Sequence, residues 1–243
     1  FSSSLSPTEE AILWEIRVPR VVLAAIVGGM LSLAGATYQG VFRNPLADPY
    51  LLGVAAGAGL GATVAIAYLP EGLSGQRALP LAAFAGGILA VFLTYAVGRS
   101  ARRERDAATL VLAGVTVTAF FTAWQTFVQQ RNSDTLQQIY NWILGNIPST
   151  GWSDVVLVLP YFAVAAVVIL ALRRVVDVLN LGDDEAASLG VRVQRVRLAL
   201  VVAATLGTAA VVAVSGLIGF VGIIVPHAIR LLFGVGYRAL LPR

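Results

Sequence analysis

An all-α, polytopic bundle of membrane-crossing helices is the fold this sequence predicts, on three observations. Hydrophobic residues make up 58% of the chain and charged residues only 12%, where a soluble domain carries about 25% charged. Mean hydropathy is +0.81. The apolar residues gather into long runs, parted by short joints rich in arginine, glycine and proline. Lipid is the natural solvent for such a chain.

A helix needs about 20 largely apolar residues to cross the hydrocarbon core. About seven stretches qualify, at 21–42, 51–69, 79–98, 108–128, 155–172, 198–215 and 217–235. In the first, Gly28, Ser32, Ala36 and Gly40 recur every fourth position, and Gly53, Gly57 and Gly61 do so in the second. Such rows let helix backbones approach closely; they either pack the bundle or line a path or a subunit interface. Between these spans lies the stiff joint "RNPLADPYLLG". Pro45 and Pro49 break the helix there, Arg43 is an anchor, and Asn44 and Asp48 are expected to cap the adjoining helix ends. The arginine-rich joint at 99–105 follows the third span. After the fourth, the loop at 129–153 carries Ile139, Tyr140, Trp142, Ile143 and Leu144, aromatics and aliphatics suited to the membrane interface. Gly219, Gly222 and Pro226 interrupt the last span, which reads as broken or partly re-entrant.

The segment 173–197, "RRVVDVLNLGDDEAASLGVRVQRVR", holds a short helix with both ends marked. Asp183 is expected at its N-cap, Asp184 and Glu185 favour the positive end of the helix dipole, and Gly190 closes it in the left-handed conformation. Ala186, Ala187, Ser188 and Leu189 fill the middle, and Gly182 precedes it. The segment is either a solvated connector or an element that docks into another protein.

Composition excludes several chemistries. There is no cysteine, and hence no disulfide or thiolate metal site. Every one of the 17 basic residues is arginine, and without lysine there is no Walker-type phosphate loop. The single histidine, His227, is a poor metal site alone and reads as a packing or hydrogen-bonding residue. No metal, cofactor or catalytic residue is expected. The first six spans contain no Asp or Glu, which weighs against the rival class of secondary transporter or channel, because ion coupling normally uses such groups near midplane. A membrane anchor or assembly protein is a further rival.

Alternating the loops sorts the arginines by side. Arg43, Arg99, Arg102, Arg103, Arg105, Arg173, Arg174, Arg192, Arg195, Arg197, Arg230, Arg238 and Arg243 fall on one side, and Arg17, Arg20, Arg77 and Arg131 on the other. The positive-inside rule places the first group in the cytoplasm. The chain start then lies outside and the chain end inside.

"LGDDEAASLG" resembles the cytoplasmic coupling segment of the FecCD-type permeases, membrane subunits of ATP-driven importers for iron-siderophore, haem and cobalamin. "RNPLADPYLLGVAAGAGLGA", "LWEIRVPR", "LVLAGVTV" and "SGLIGFVGIIVPHAIRLLFG" resemble the same family in the same order. The resemblance implies a ten-span fold of the cell membrane. Residues 1–243 are then one permease domain that lacks the first span and the last two, as expected of a segment of a longer polypeptide. It implies a homodimer with the path between subunits, two cytoplasmic ATPase subunits, an extracytoplasmic substrate-binding protein and a metal-chelate substrate, with no part for nucleic acid. It implies ATPase coupling through Gly182, Asp183, Asp184, Glu185, Ala186, Ala187, Ser188, Leu189 and Gly190. It implies a gate near Asn44, Pro45 and Leu46. Arg17 and Arg20 are either interfacial anchors or, as the resemblance implies, docking points for the binding protein.

Overall fold

The computed structural model describes residues 6–70, 78–100, 107–147, 151–234 and 241. Arg77, Arg102, Arg103, Arg105, Arg238 and Arg243 lie outside the described residues, as does the end of the expected last span at Val235. Every regular element among the described residues is a helix. In order they are α1 (Pro7–Val41), α2 (Val54–Tyr68), α3 (Leu79–Ser100), α4 (Ala107–Arg131), α5 (Leu136–Ile143), α6 (Trp152–Leu179), α7 (Asp183–Ser188), α8 (Val193–Ser215) and α9 (Val221–Phe233).

Five of them, α1, α3, α4, α6 and α8, are long and apolar enough to cross a membrane. The two others expected to cross are shorter. α2 has 15 residues, about 22 Å of helix against a hydrocarbon core of about 30 Å. α9 has 13. Each is short because an irregular stretch supplies the rest of the path, 42–53 before α2 and 216–220 before α9.

α1 begins earlier than expected. Ser6 and Glu9 form a reciprocal capping box, with Pro7 in the first turn, so the helix starts well before residue 21. A π-helical stretch runs from Ile12 to Arg17, just ahead of Pro19, whose missing N–H and ring disrupt the regular ladder. Arg17 and Arg20 therefore sit on a helix surface and not in a loop.

α1 and α8 form the enclosed centre, with Leu23, Val27, Met30, Leu31, Leu200, Val201 and Val211 buried between neighbours. α3, α4 and α6 surround them and turn large apolar side chains outward, among them Phe92, Leu112, Phe120 and Val167. A helix apolar on all faces belongs in lipid. The two glycine rows have different fates. A Cβ at Gly57 or Gly61 would lie 2.2 Å or 2.1 Å from carbonyl oxygens of α3, so this row is backbone-to-backbone packing. Gly28 and Ser32, with Ala36, instead line an open groove of about 540 Å³ with Phe162, Pro226 and Ile229.

The loop after α4 is partly helical. α5 buries Ile139 and leaves Tyr140 and Leu144 exposed, as an amphipathic interfacial helix would. His227, expected to pack or to hydrogen-bond, is exposed on α9 among the described residues.

Candidate coupling site and gate

Two irregular stretches meet inside the bundle, and each supplies what the other lacks. Unpaired backbone groups are intolerable away from water. The Tyr50 hydroxyl donates to the Ile218 carbonyl at 3.0 Å, and the Ile218 amide donates back to it at 3.2 Å. Thr94 Oγ1 donates to the Leu52 carbonyl at 3.0 Å. Gln39, fully buried on α1, donates to the carbonyls of Gly222 and Ala47, and its Oε1 accepts from Arg230. Gly35 and Gly222 touch backbone to backbone, since a Cβ on Gly35 would fall 2.0 Å from the Gly222 oxygen. The joint at 43–53 and the break before α9 are thus one packed unit, held from α1.

Asn44 and Asp48 do not cap helices as expected. Their Oδ1 atoms accept from backbone amides two residues on, Leu46 at 2.9 Å and Tyr50 at 2.7 Å. Both side chains shape turns within the joint, because each directly precedes a proline, which disfavours helix at that residue. Asn44, Pro45 and Leu46 are exposed at the tip of the joint. Arg43, which begins it, has φ +50°, a left-handed conformation rare for a residue with a side chain.

α7 stands against this joint. Its C-terminus follows the expectation: Gly190 has φ +82°, its amide bonds the Ala187 carbonyl, and the Val191 amide bonds that of Ala186. This is the Schellman arrangement. Its N-terminus departs from the expectation. Gly182 occupies the N-cap position, with no side-chain cap, and Asp183 is the first helical residue. The Asp183 carboxylate is drawn away by two arginines. Arg197 Nη2 reaches both of its oxygens, at 2.9 and 3.0 Å, and Arg43 Nη2 reaches Oδ1 at 3.1 Å. Ala186 is buried and seats the helix, while Asp184, Glu185, Ala187, Ser188, Leu189 and Gly190 are exposed.

One carboxylate therefore ties three elements: the end of α1 through Arg43, α7 itself, and the first turns of α8 through Arg197. Arg43, next in sequence to the expected gate residue Asn44, thereby touches Asp183, one of the residues expected for coupling. Arg17 and Arg20 lie at the opposite end of α1, both exposed, where Arg20 rims an open cavity of about 660 Å³ with Asn146 and Gly219. Sequence reasoning missed Gln39, Tyr50 and the pairing of Arg197. A buried glutamine or arginine inside an apolar run is the signal that points to them. Among the described residues no group of acidic or histidine side chains is placed to hold a metal ion.

Comparison with known proteins accords with this geometry. The sequence model of the FecCD transport family matches residues 1–243. The chain is similar to the cobalamin import system permease protein BtuC of Halobacterium salinarum, at 40% identity over 97% of the chain and 63% of that protein. It is similar to the iron(3+)-hydroxamate import system permease protein FhuB of Bacillus subtilis, at 38% identity over 97% of the chain and 60% of that protein. It spans less than two thirds of the length of either relative. A solved inward-facing conformation of a transporter assigned to the metal-chelate ABC type superposes with TM-score 0.89 and 28% identity, over 99% of this chain and 76% of that one.

Proposed function

Because the chain belongs to the FecCD transport family, we propose that it is the membrane-spanning permease of an ATP-driven importer that moves an iron chelate or cobalamin inward by alternating access. The names of its relatives support that substrate class, one a cobalamin permease and one an iron-hydroxamate permease. The permease makes and breaks no bond of its cargo. Hydrolysis belongs to a pair of partner ATPases on the cytoplasmic side of a homodimer, and an extracytoplasmic binding protein delivers the chelate.

The observation that carries this reading is the seating of α7. A six-residue helix has little intrinsic stability, yet this one is fixed at both ends, by the Asp183 ion pairs and by the Gly190 turn. Its exposed face of small and acidic residues suits a groove on a partner. Motion imposed there reaches Asn44, Pro45 and Leu46, the gate, through residues already in contact. Arg17 and Arg20 would meet acids on the binding protein, a role that their exposure at the far end supports.

Uptake into proteoliposomes holding the full-length permease, its ATPase and its binding protein tests the proposal. Accumulation of a ferric chelate or of cobalamin is expected only with ATP, and not with a catalytically dead ATPase. Accumulation driven by an ion gradient without ATP would sink it.

A further inference from the structure

The two arginines on Asp183 are unequal. Arg197 is 2% exposed and makes two contacts with the carboxylate, while the Arg43 side chain is 36% exposed and makes one. Arg197 has nowhere else to turn: its Nε and Nη1 are buried and find no other partner among the described residues. A buried arginine cannot shed its charge or release its only anion without heavy loss. Arg43 can, because water replaces its partner at once.

We infer that Arg43 is the positioning residue that clasps the gate joint to α7, with Asp183–Arg197 as the fixed half of the joint and Asp183–Arg43 as the half that releases during the transport cycle. This rests on the importer reading for its role, though not for its existence. In the clasped state the joint at 43–53 moves with α7 and α8 as one body. When α7 is displaced, Asp183 stays with Arg197, and the contact with Arg43 is the one that parts. The joint is then free to shift relative to α8. A releasable contact must be weak; exposed ion pairs bias an equilibrium by at most about five-fold, small enough for a partner to override.

The test uses the full-length permease in lipid nanodiscs. The chain has no cysteine, so spin labels go on Leu46→Cys and Ser188→Cys, both exposed. Pulsed electron spin resonance then reads the separation of joint and α7. In the parent, one short distance is expected to dominate. Arg43→Ala is expected to raise the population of a longer distance about two- to five-fold, and Arg43→Lys, which keeps the charge, to restore most of the parent pattern. With the ATPase present, Arg43→Ala should also lower the amount of cargo moved per ATP hydrolysed. An unchanged distance distribution in Arg43→Ala overturns the clasp. A changed distribution in a permease whose parent shows no ATP-dependent uptake leaves the clasp standing and overturns the importer reading.

Discussion

At the scale of single residues, the packing of this protein is decided by missing side chains as much as by present ones. Gly35 and Gly28 lie seven residues apart on α1, yet their surroundings are opposite. A Cβ on Gly35 would strike the Gly222 backbone at 2.0 Å, and nothing lies within 4 Å of one on Gly28. Backbone cannot rotate aside as a side chain can, so Gly35→Ala must push α1 from α9 and disturb the Gln39 hydrogen bonds one turn on. Overpacking of this kind costs about 1–3 kcal/mol. Gly35→Ala is expected to lower the melting temperature of the purified permease, and Gly28→Ala to leave it within error or raise it, since alanine favours helix. Equal melting temperatures for the two variants would mean that α1 and α9 are not in backbone contact.

At the scale of elements, the segments proposed for coupling and for the gate are short or irregular, and long helices hold them in place. Gly190 illustrates the constraint on α7. No atom lies within 4 Å of a Cβ there, but φ is +82°, so the obstacle to a side chain is conformational and not steric. Asparagine tolerates that region and β-branched residues do not. Gly190→Val is therefore expected to uncouple ATP hydrolysis from uptake while membrane insertion is normal, and Gly190→Asn to retain coupling; normal uptake by the valine variant removes α7 from the coupling path. The positions of the helices were legible in the sequence, because each is a run of apolar residues against arginine-rich joints. So was the Gly190 turn, because glycine at a helix end has a local cause. The roles of Asp183, Asn44 and Asp48 were not. Each was read as a cap from its neighbours in sequence, whereas Asp183 is claimed by Arg43 and Arg197, 140 and 14 residues away. Nor was the start of α1, where Ser6 and Glu9 form their box outside the apolar run.

At the scale of the whole molecule, hydrogen bonds between distant segments fix which loops share an end of the bundle. Arg43 reaches Asp183 at one end. At the other, the Trp152 indole donates to the Trp14 carbonyl at 3.1 Å, and Asn132 donates to the Tyr68 hydroxyl at 3.1 Å. The alternation of loops read from the sequence is thereby a three-dimensional arrangement. The end that holds Arg43 also gathers Arg99, Arg173, Arg174, Arg192, Arg195 and Arg197, and the end that holds Trp14 has Arg17, Arg20 and Arg131. Lipid and translocation machinery act on that asymmetry, retaining arginine-rich loops on the cytoplasmic side. The α7 end is therefore expected inside the cell and the α5 end outside. Because residues 1–243 hold no cysteine, single thiols can be placed in them one at a time. Ser133 and Ser188 are both exposed, and they sit at opposite ends. A membrane-impermeant thiol reagent applied to intact cells is expected to label Ser133→Cys and spare Ser188→Cys, while opened membranes label both. Labelling of Ser188→Cys alone in intact cells would invert the molecule. It would place α7 beyond the reach of any cytoplasmic ATPase, and both the coupling role of α7 and the docking role of Arg17 and Arg20 would have to be abandoned together.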